Sequence, residues 1–147
     1  MNDFFATCKL HIAGIDYVLP SEALELLKRG ACIVDLRTEF EIEIKAFGVD
    51  RVAFLPYEEL EEKYELLSRE TPLILADSVG LHSKEALLFL RSKSFVKMAS
   101  LAGGIAEWEK DGLPMRKGKY QPLNGPCPCM IRPREGKGSE GERAKGG

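Results

Sequence analysis

The chain has 147 residues, 44% of them apolar, and a formal net charge of −2. That size suits one domain with terminal extensions. The charge balance argues against nucleic acid as a partner, and no apolar run approaches the roughly 18 residues of a transmembrane helix. The opening M-N-D-F-F-A-T-C carries an acidic residue and too short an apolar stretch for a signal peptide. A cytoplasmic protein is expected, its four cysteines mostly reduced thiols.

In chain order, Leu10, Ile12, Tyr17 and Val18 suggest an extended lead-in that turns at Gly14. Pro20 and Ser21 open a helix, with Ser21 as the capping residue, a buried stripe of Ala23, Leu24 and Leu27, and Gly30 at its end. Ala31–Leu36, A-C-I-V-D-L, is an almost continuous apolar run. It reads as a central strand of a parallel sheet covered on both faces. Asp35 interrupts that run, and a buried carboxylate requires a partner; Arg37 supplies it, as a structural ion pair. E-F-E-I-E-I-K, from Glu39, fits either an alternating strand or a short helix that buries Phe40 and Ile44.

Arg51–Leu55 is a strand stopped by Pro56. Glu58 to Leu67 is a helix with Leu60, Tyr64 and Leu67 inward. Leu73–Ala76 is a buried strand, Ser83 to about Lys93 a helix with Ala86, Leu87 and Leu90 on one face, and Val96–Leu101 a last strand. Gly103-Gly104 leads into a helix that holds Trp108 and ends near Gly112. Strands alternating with helices imply an α/β fold: a mostly parallel central sheet flanked by helices on both faces. Beyond Tyr120 the chain turns rich in Pro and Gly, and 133–147 lacks large apolar residues, so a disordered tail is expected there.

The stretch that carries chemistry joins the Leu73–Ala76 strand to the following helix. Asp77, Ser78, Val79, Gly80, Leu81, His82 and Ser83 would gather backbone N–H groups at the positive end of that helix, an anion cradle, with Gly80 free to take φ > 0. In a catalytic version of this layout the nucleophile stands at the strand end, which here is Asp77.

Residues 20–116 resemble a single-domain rhodanese. V-K-M-A-S-L-A-G-G-I-A-E-W-E-K-D-G-L-P is similar to the family's V-x-x-L-x-G-G-x-x-x-W-x-x-x-G-L-P ending, in register at Val96, Leu101, Gly103, Gly104, Trp108, Gly112 and Pro114. A-C-I-V-D-L-R-T-E-F-E resembles its I-D-V-R-x-x-x-E-Y segment, one residue shorter, and Gly80 to Ala86 resembles its G-x-R-S-x-x-A. The resemblance implies a rhodanese-like fold, with residues 1–19 as a lead-in, 117–132 as an extension bearing Cys127-Pro128-Cys129, and 133–147 as the tail. It also implies that the family's persulfide-forming cysteine falls at Asp77 and its loop arginine at His82. The family's G-H-I-P-G-A segment is not recognisable here, and Ser94 stands where the family has a glycine.

Four readings of Asp77 follow. Its carboxylate fills the cradle by accepting the loop N–H groups, which implies a pseudoenzyme. The cradle region and its rim hold an unidentified partner protein or a small anion without turnover. Asp77 is a nucleophile for phosphoryl transfer, although the loop offers no further carboxylates for a metal. Asp77 and His82 share a metal, although two ligands are too few. Neither a metal nor a cofactor is expected. Cys32 reads as an inert core thiol and Cys8 has no assigned role; His11, His82 and Cys8 are the other candidate ligands outside the core, and nothing in their spacing aligns them. Cys127 and Cys129 are the candidate reactive thiols, able to share a soft metal, cycle through a disulfide or accept sulfur. The reading adopted is a non-catalytic binding or regulatory module in sulfur, redox or stress metabolism. The alternative is a sulfurtransferase or thiol-redox protein working through Cys127 and Cys129.

Overall fold

The computed structural model describes residues 4, 5, 8 and 10–117. Cys127, Cys129, the extension beyond Lys117 and the expected tail lie outside the described residues. The lead-in resolves into a hairpin, β1 (Leu10–Ile12) and β2 (Ile15–Val18). Its two-residue turn puts Ala13 at φ +53 and Gly14 at φ +79, the twist that matches paired antiparallel strands.

Helix α1 (Pro20–Lys28) has Pro20 at its first position. The cap therefore falls on Leu19, not on Ser21, and the Leu19 N–H donates to Glu22 Oε1 at 2.9 Å. Its buried stripe is Ala23, Leu26 and Leu27, spaced i, i+3, i+4; Leu24 is only half-buried. Strand β3 (Cys32–Asp35) is wholly buried.

The ambiguous stretch becomes a short helix, α2 (Glu39–Ile44). Thr38 Oγ1 accepts the Glu41 N–H and Glu41 Oε1 accepts the Thr38 N–H, a capping box that sets the phase. Ile42 then points inward, and Phe40 and Ile44, each about 200° around the axis from it, face solvent instead of the core.

Strands β4 (Ala46–Phe47) and β5 (Val52–Phe54) follow. The expected helix at 58–67 is three short pieces: a 3₁₀ turn at Tyr57–Glu59, α3 (Leu60–Lys63) and a second 3₁₀ turn at Tyr64–Leu66. The Tyr57 N–H donates to Leu36 O at 2.9 Å, which draws the start of this segment onto the sheet edge and tightens it. Next come β6 (Leu73–Ala76), α4 (Leu81–Ser92), β7 (Met98–Leu101), α5 (Gly104–Lys110) and β8 (Met115–Arg116). After α4, Ser94 sits at φ +74. A left-handed residue with a Cβ costs about 1 kcal/mol more than glycine there.

The main sheet runs β1-β2-β7-β6-β3-β5, parallel throughout except for the β1–β2 hairpin. Successive side chains of its strands alternate between two cores. Cys32, Val34, Leu73 and Leu75 pack with Leu60, Leu87, Leu90 and Phe95 on the α3–α4 face. Ile33, Ile74, Ala76 and Ala99 pack with Leu26, Leu27, Ile105 and Trp108 on the α1–α5 face. This is the α/β architecture that the resemblance implies, a mostly parallel sheet with helices on both sides. A second two-stranded ribbon pairs β4 with β8, Ala46 opposite Arg116 and Phe47 opposite Met115. Trp108 anchors it, with Nε1–H donating to Pro114 O at 2.7 Å and its ring edge-on to Phe47.

Candidate functional site

From β3 the chain moves outward to β5, then returns to β6 on the other side of β3. The carboxyl ends of β3, β5 and β6 flank this reversal of strand order, the place where open parallel sheets form clefts. A cleft of about 140 Å³ lies there, walled by Arg37, Thr38 and Glu41, by Tyr57 and Glu58, and by Asp77–Val79 with Leu81 and His82. Ligand pockets for drug-sized molecules start at about 300 Å³. This cleft has room for a small ion or one side chain.

Asp77 directly follows β6 and is only 4% exposed. One carboxylate oxygen accepts the Gly80 N–H at 2.5 Å; the other accepts the N–H of His82 at 2.5 Å and of Ser83 at 3.3 Å. Gly80 makes this closure possible by standing at φ +100. The connecting loop is thus Asp77–Gly80, shorter than expected. Leu81, His82 and Ser83 already belong to α4, because the Asp77 carboxylate satisfies N–H groups of its first turn and lets the helix begin early. The cradle exists and it is occupied by the chain's own carboxylate.

The floor of the loop is tied to α5. The Ile105 N–H donates to Asp77 O at 2.9 Å and the Ala106 N–H to Ser78 O at 3.1 Å. Gly104 is required at this contact. It has φ +62, and a Cβ there would stand 2.4 Å from Asp77 O and 2.6 Å from Ser78 O.

On the β3 side, Asp35 and Arg37 form a buried bidentate pair, Nε to Oδ1 at 3.0 Å and an Nη to Oδ2 at 2.9 Å. Burial pushes the Asp35 carboxyl above its ordinary value, and the guanidinium offsets part of that rise. The other Nη of Arg37 donates to Lys45 O at 2.8 Å, at the carboxyl end of α2. Arg37 is therefore fully engaged in holding β3 and α2 together.

Glu41 and Tyr57, which the sequence did not single out, complete the cleft. Ser78 Oγ donates to Glu41 Oε2 at 3.1 Å, linking the loop to α2. Burial acts to raise the Glu41 carboxyl, but the bonds from Thr38 and Ser78 outweigh it and hold Glu41 below its ordinary value. Tyr57 stacks on the His82 imidazole, with ring centres 4.5 Å apart and planes 4° apart, and its hydroxyl donates to Glu85 Oε1 at 2.8 Å. That bond raises the Tyr57 phenol. The available signal for Tyr57 was its place just after Pro56, at the carboxyl end of a parallel strand.

The other sequence candidates lie apart. His11 pairs with Asp16 across the β1–β2 hairpin, and Cys8 and Cys32 are buried away from the cleft. Among the described residues, no group of three or more His, Cys, Asp or Glu is arranged to hold a metal ion. No helix among them is long and apolar enough to cross a membrane.

An α/β domain with a strand-to-helix anion cradle at its topological switch point is the class that fold and cleft define. The family model described as "Rhodanese-like domain" matches residues 19–111, and the chain belongs to that family. Thiosulfate sulfurtransferase GlpE of Haemophilus influenzae is 26% identical over 102 residues, covering 67% of this chain and 91% of the relative. A rhodanese-related protein from Thermoplasma volcanium superposes with a TM-score of 0.62 at 25% identity, covering 68% of this chain and 96% of that one. A rhodanese homolog from Thermus thermophilus gives a TM-score of 0.51 at 28% identity, over 62% of this chain and 98% of the other.

Proposed function

We propose that this rhodanese-like domain does not transfer sulfur and works as a binding or regulatory module in sulfur, redox or stress metabolism, in the cytoplasm. Asp77 stands in this reading where the family carries its sulfur on a cysteine, and a carboxylate forms no persulfide. The observation that carries it is the set of bonds from Gly80, His82 and Ser83 to the Asp77 carboxylate. Donors that would greet an anionic substrate are spent on a permanent internal anion, and Arg37 is spent on Asp35. A side chain presented by a partner segment suits such a cleft better than a small anion does.

The test is a thiosulfate–cyanide assay on the full chain, run beside a Cys127→Ser/Cys129→Ser variant. No turnover above the protein-free rate is expected from either. Turnover that survives in the double variant would overturn the proposal, and turnover lost with it would move the activity to those two thiols. Asp77→Cys should place a thiol against the same N–H groups, with a pKa below the roughly 8.5 of a free cysteine.

A further inference from the structure

We infer that the cleft is covered in cis by the chain's own C-terminal segment, through the stretch Met130-Ile131-Arg132-Pro133-Arg134, with an arginine side chain entering between Glu41 and Glu58. This rests on the non-catalytic reading only in treating the cleft as a binding surface.

Three observations point to this occupant. The first is the rim. Helix α2 forms one wall and leaves Phe40 72% exposed with Ile44 beside it, four residues on along the same face. Across the cleft Leu81 is 71% exposed and Val79 is exposed as well. Val79 and Leu81 line the acidic cleft itself, and with the exposed Phe40 and Ile44 of α2 they form a surface suited to being covered.

The second is where the described chain ends. β8 runs antiparallel to β4, with Phe47 opposite Met115 and Ala46 opposite Arg116. Lys117, the last described residue, follows directly and so stands beside Lys45 at the carboxyl end of α2. The six residues of α2 span about 9 Å, a length that three extended residues cover. Thirteen residues lie between Lys117 and Ile131, several times the reach required.

The third is charge. Glu41, Glu58 and Asp77 line the cleft, and the cleft's own Arg37 is bound to Asp35. Residues 118–147 carry six Lys or Arg against three Glu, a net charge of +3 in a chain whose total is −2. Within them, Met130 and Ile131 directly precede Arg132 and Arg134, which matches an apolar rim around an acidic centre. A guanidinium also suits the walls: its fork fits carboxylates, and its flat face fits the stacked rings of Tyr57 and His82.

The experiment is limited trypsin digestion of the folded full chain, read by intact mass. Cleavage after Arg134 is the reporter, because Pro133 protects the bond after Arg132. Cleavage after Lys145 is the control outside the docked stretch. Two variants open the site from opposite sides, Phe40→Glu/Leu81→Glu at the rim and Glu41→Gln/Glu58→Gln in the cleft. All four positions are exposed, and melting curves check that the fold is kept. Each variant is expected to speed cleavage after Arg134 at least tenfold and to leave Lys145 unchanged. Raising salt on the unaltered protein should speed the Arg134 cut in the same direction, a reading that needs no variant. Rates within twofold across the unaltered protein, both variants and the salt series overturn the proposal. Protection that grows with protein concentration also overturns it, in favour of a second copy as occupant. Sulfur transfer in the thiosulfate assay would instead remove the non-catalytic reading and leave the trypsin result standing.

Discussion

Asp35 and Asp77 lie at the ends of neighbouring strands. Asp35 pairs in register with Ala76, so the two carboxylates are one position apart, and both are withdrawn from water. Asp35 is met by a guanidinium from two residues away and by the backbone N–H of the same residue. Asp77 is met by three backbone N–H groups and no cation within hydrogen-bond reach. The first arrangement sets a full charge on a side chain against the carboxylate, with one backbone N–H beside it. The second spreads partial charges along a turn, and the turn has its shape because the carboxylate is there. Asp35 is thus a rivet between β3 and α2, while Asp77 is the template of its own loop.

Removing the rivet should have the largest effect. Arg37→Ala leaves a buried carboxylate with one backbone N–H and no counter-charge and unties the carboxyl end of α2, at an expected cost of about 3–5 kcal/mol in urea denaturation. A loss near 1 kcal/mol would mean that water or another donor replaces the guanidinium, and that the two carboxylates are held more alike than their geometry indicates. Gly104→Ala attacks the Asp77 loop from behind without changing any charge. Its Cβ meets backbone atoms at 2.4–2.6 Å in a left-handed conformation, and about 2–4 kcal/mol should be lost. If stability is unchanged, the loop shifts freely and does not hold the rigid shape on which the cradle depends.

Asp77→Ala should cost less, about 1–3 kcal/mol, because the half-buried Gly80 and His82 N–H groups border the cleft and can recruit water. Asp77→Asn keeps one acceptor oxygen and should recover part of that loss, which thermal melts of the pair would show. The smallest expected effect concerns the strut between the two sites. Glu41 is held below its ordinary value in the folded chain, so its contribution is present above the unfolded carboxyl pKa of about 4.3 and is lost as pH falls through the folded value. Glu41→Gln should lower stability at pH 7 by about 0.5 kcal/mol or less, screened as the side chain is. That difference should close as the pH is taken towards 3. A gap that persists at low pH would assign the effect to shape, not charge.

The legible parts of this protein were those whose partners are close in sequence. Asp35 interrupting an apolar run called for a cation, and Arg37 was two residues away. Gly80 between a buried strand and a helical pattern announced a tight turn, and the Gly103-Gly104 pair with Trp108 marked the closing helix. What stayed hidden depended on phase or on contacts between distant segments. Phe40 and Ile44 were as apolar as Ile42, and only the capping box at Thr38 decided which would be buried. The β4–β8 ribbon joins two-residue strands about 70 positions apart, too short to leave an alternating pattern. The stack of Tyr57 on His82 joins the turn after β5 to the first turn of α4, brought together by the sheet.

The attachment of Asp77 and Ser78 to the start of α5 has a kinetic consequence. Because the Ile105 and Ala106 amides are held by the carbonyls of the loop, these amides can exchange with deuterium only when α5 parts from the loop. Such a separation also exposes Trp108 and the core beneath it, so it is closer to unfolding than to breathing. The loop is the stationary jaw of the cleft. Any widening to admit or release an occupant falls to the opposite jaw, α2 and the Tyr57 turn, whose amides should exchange first.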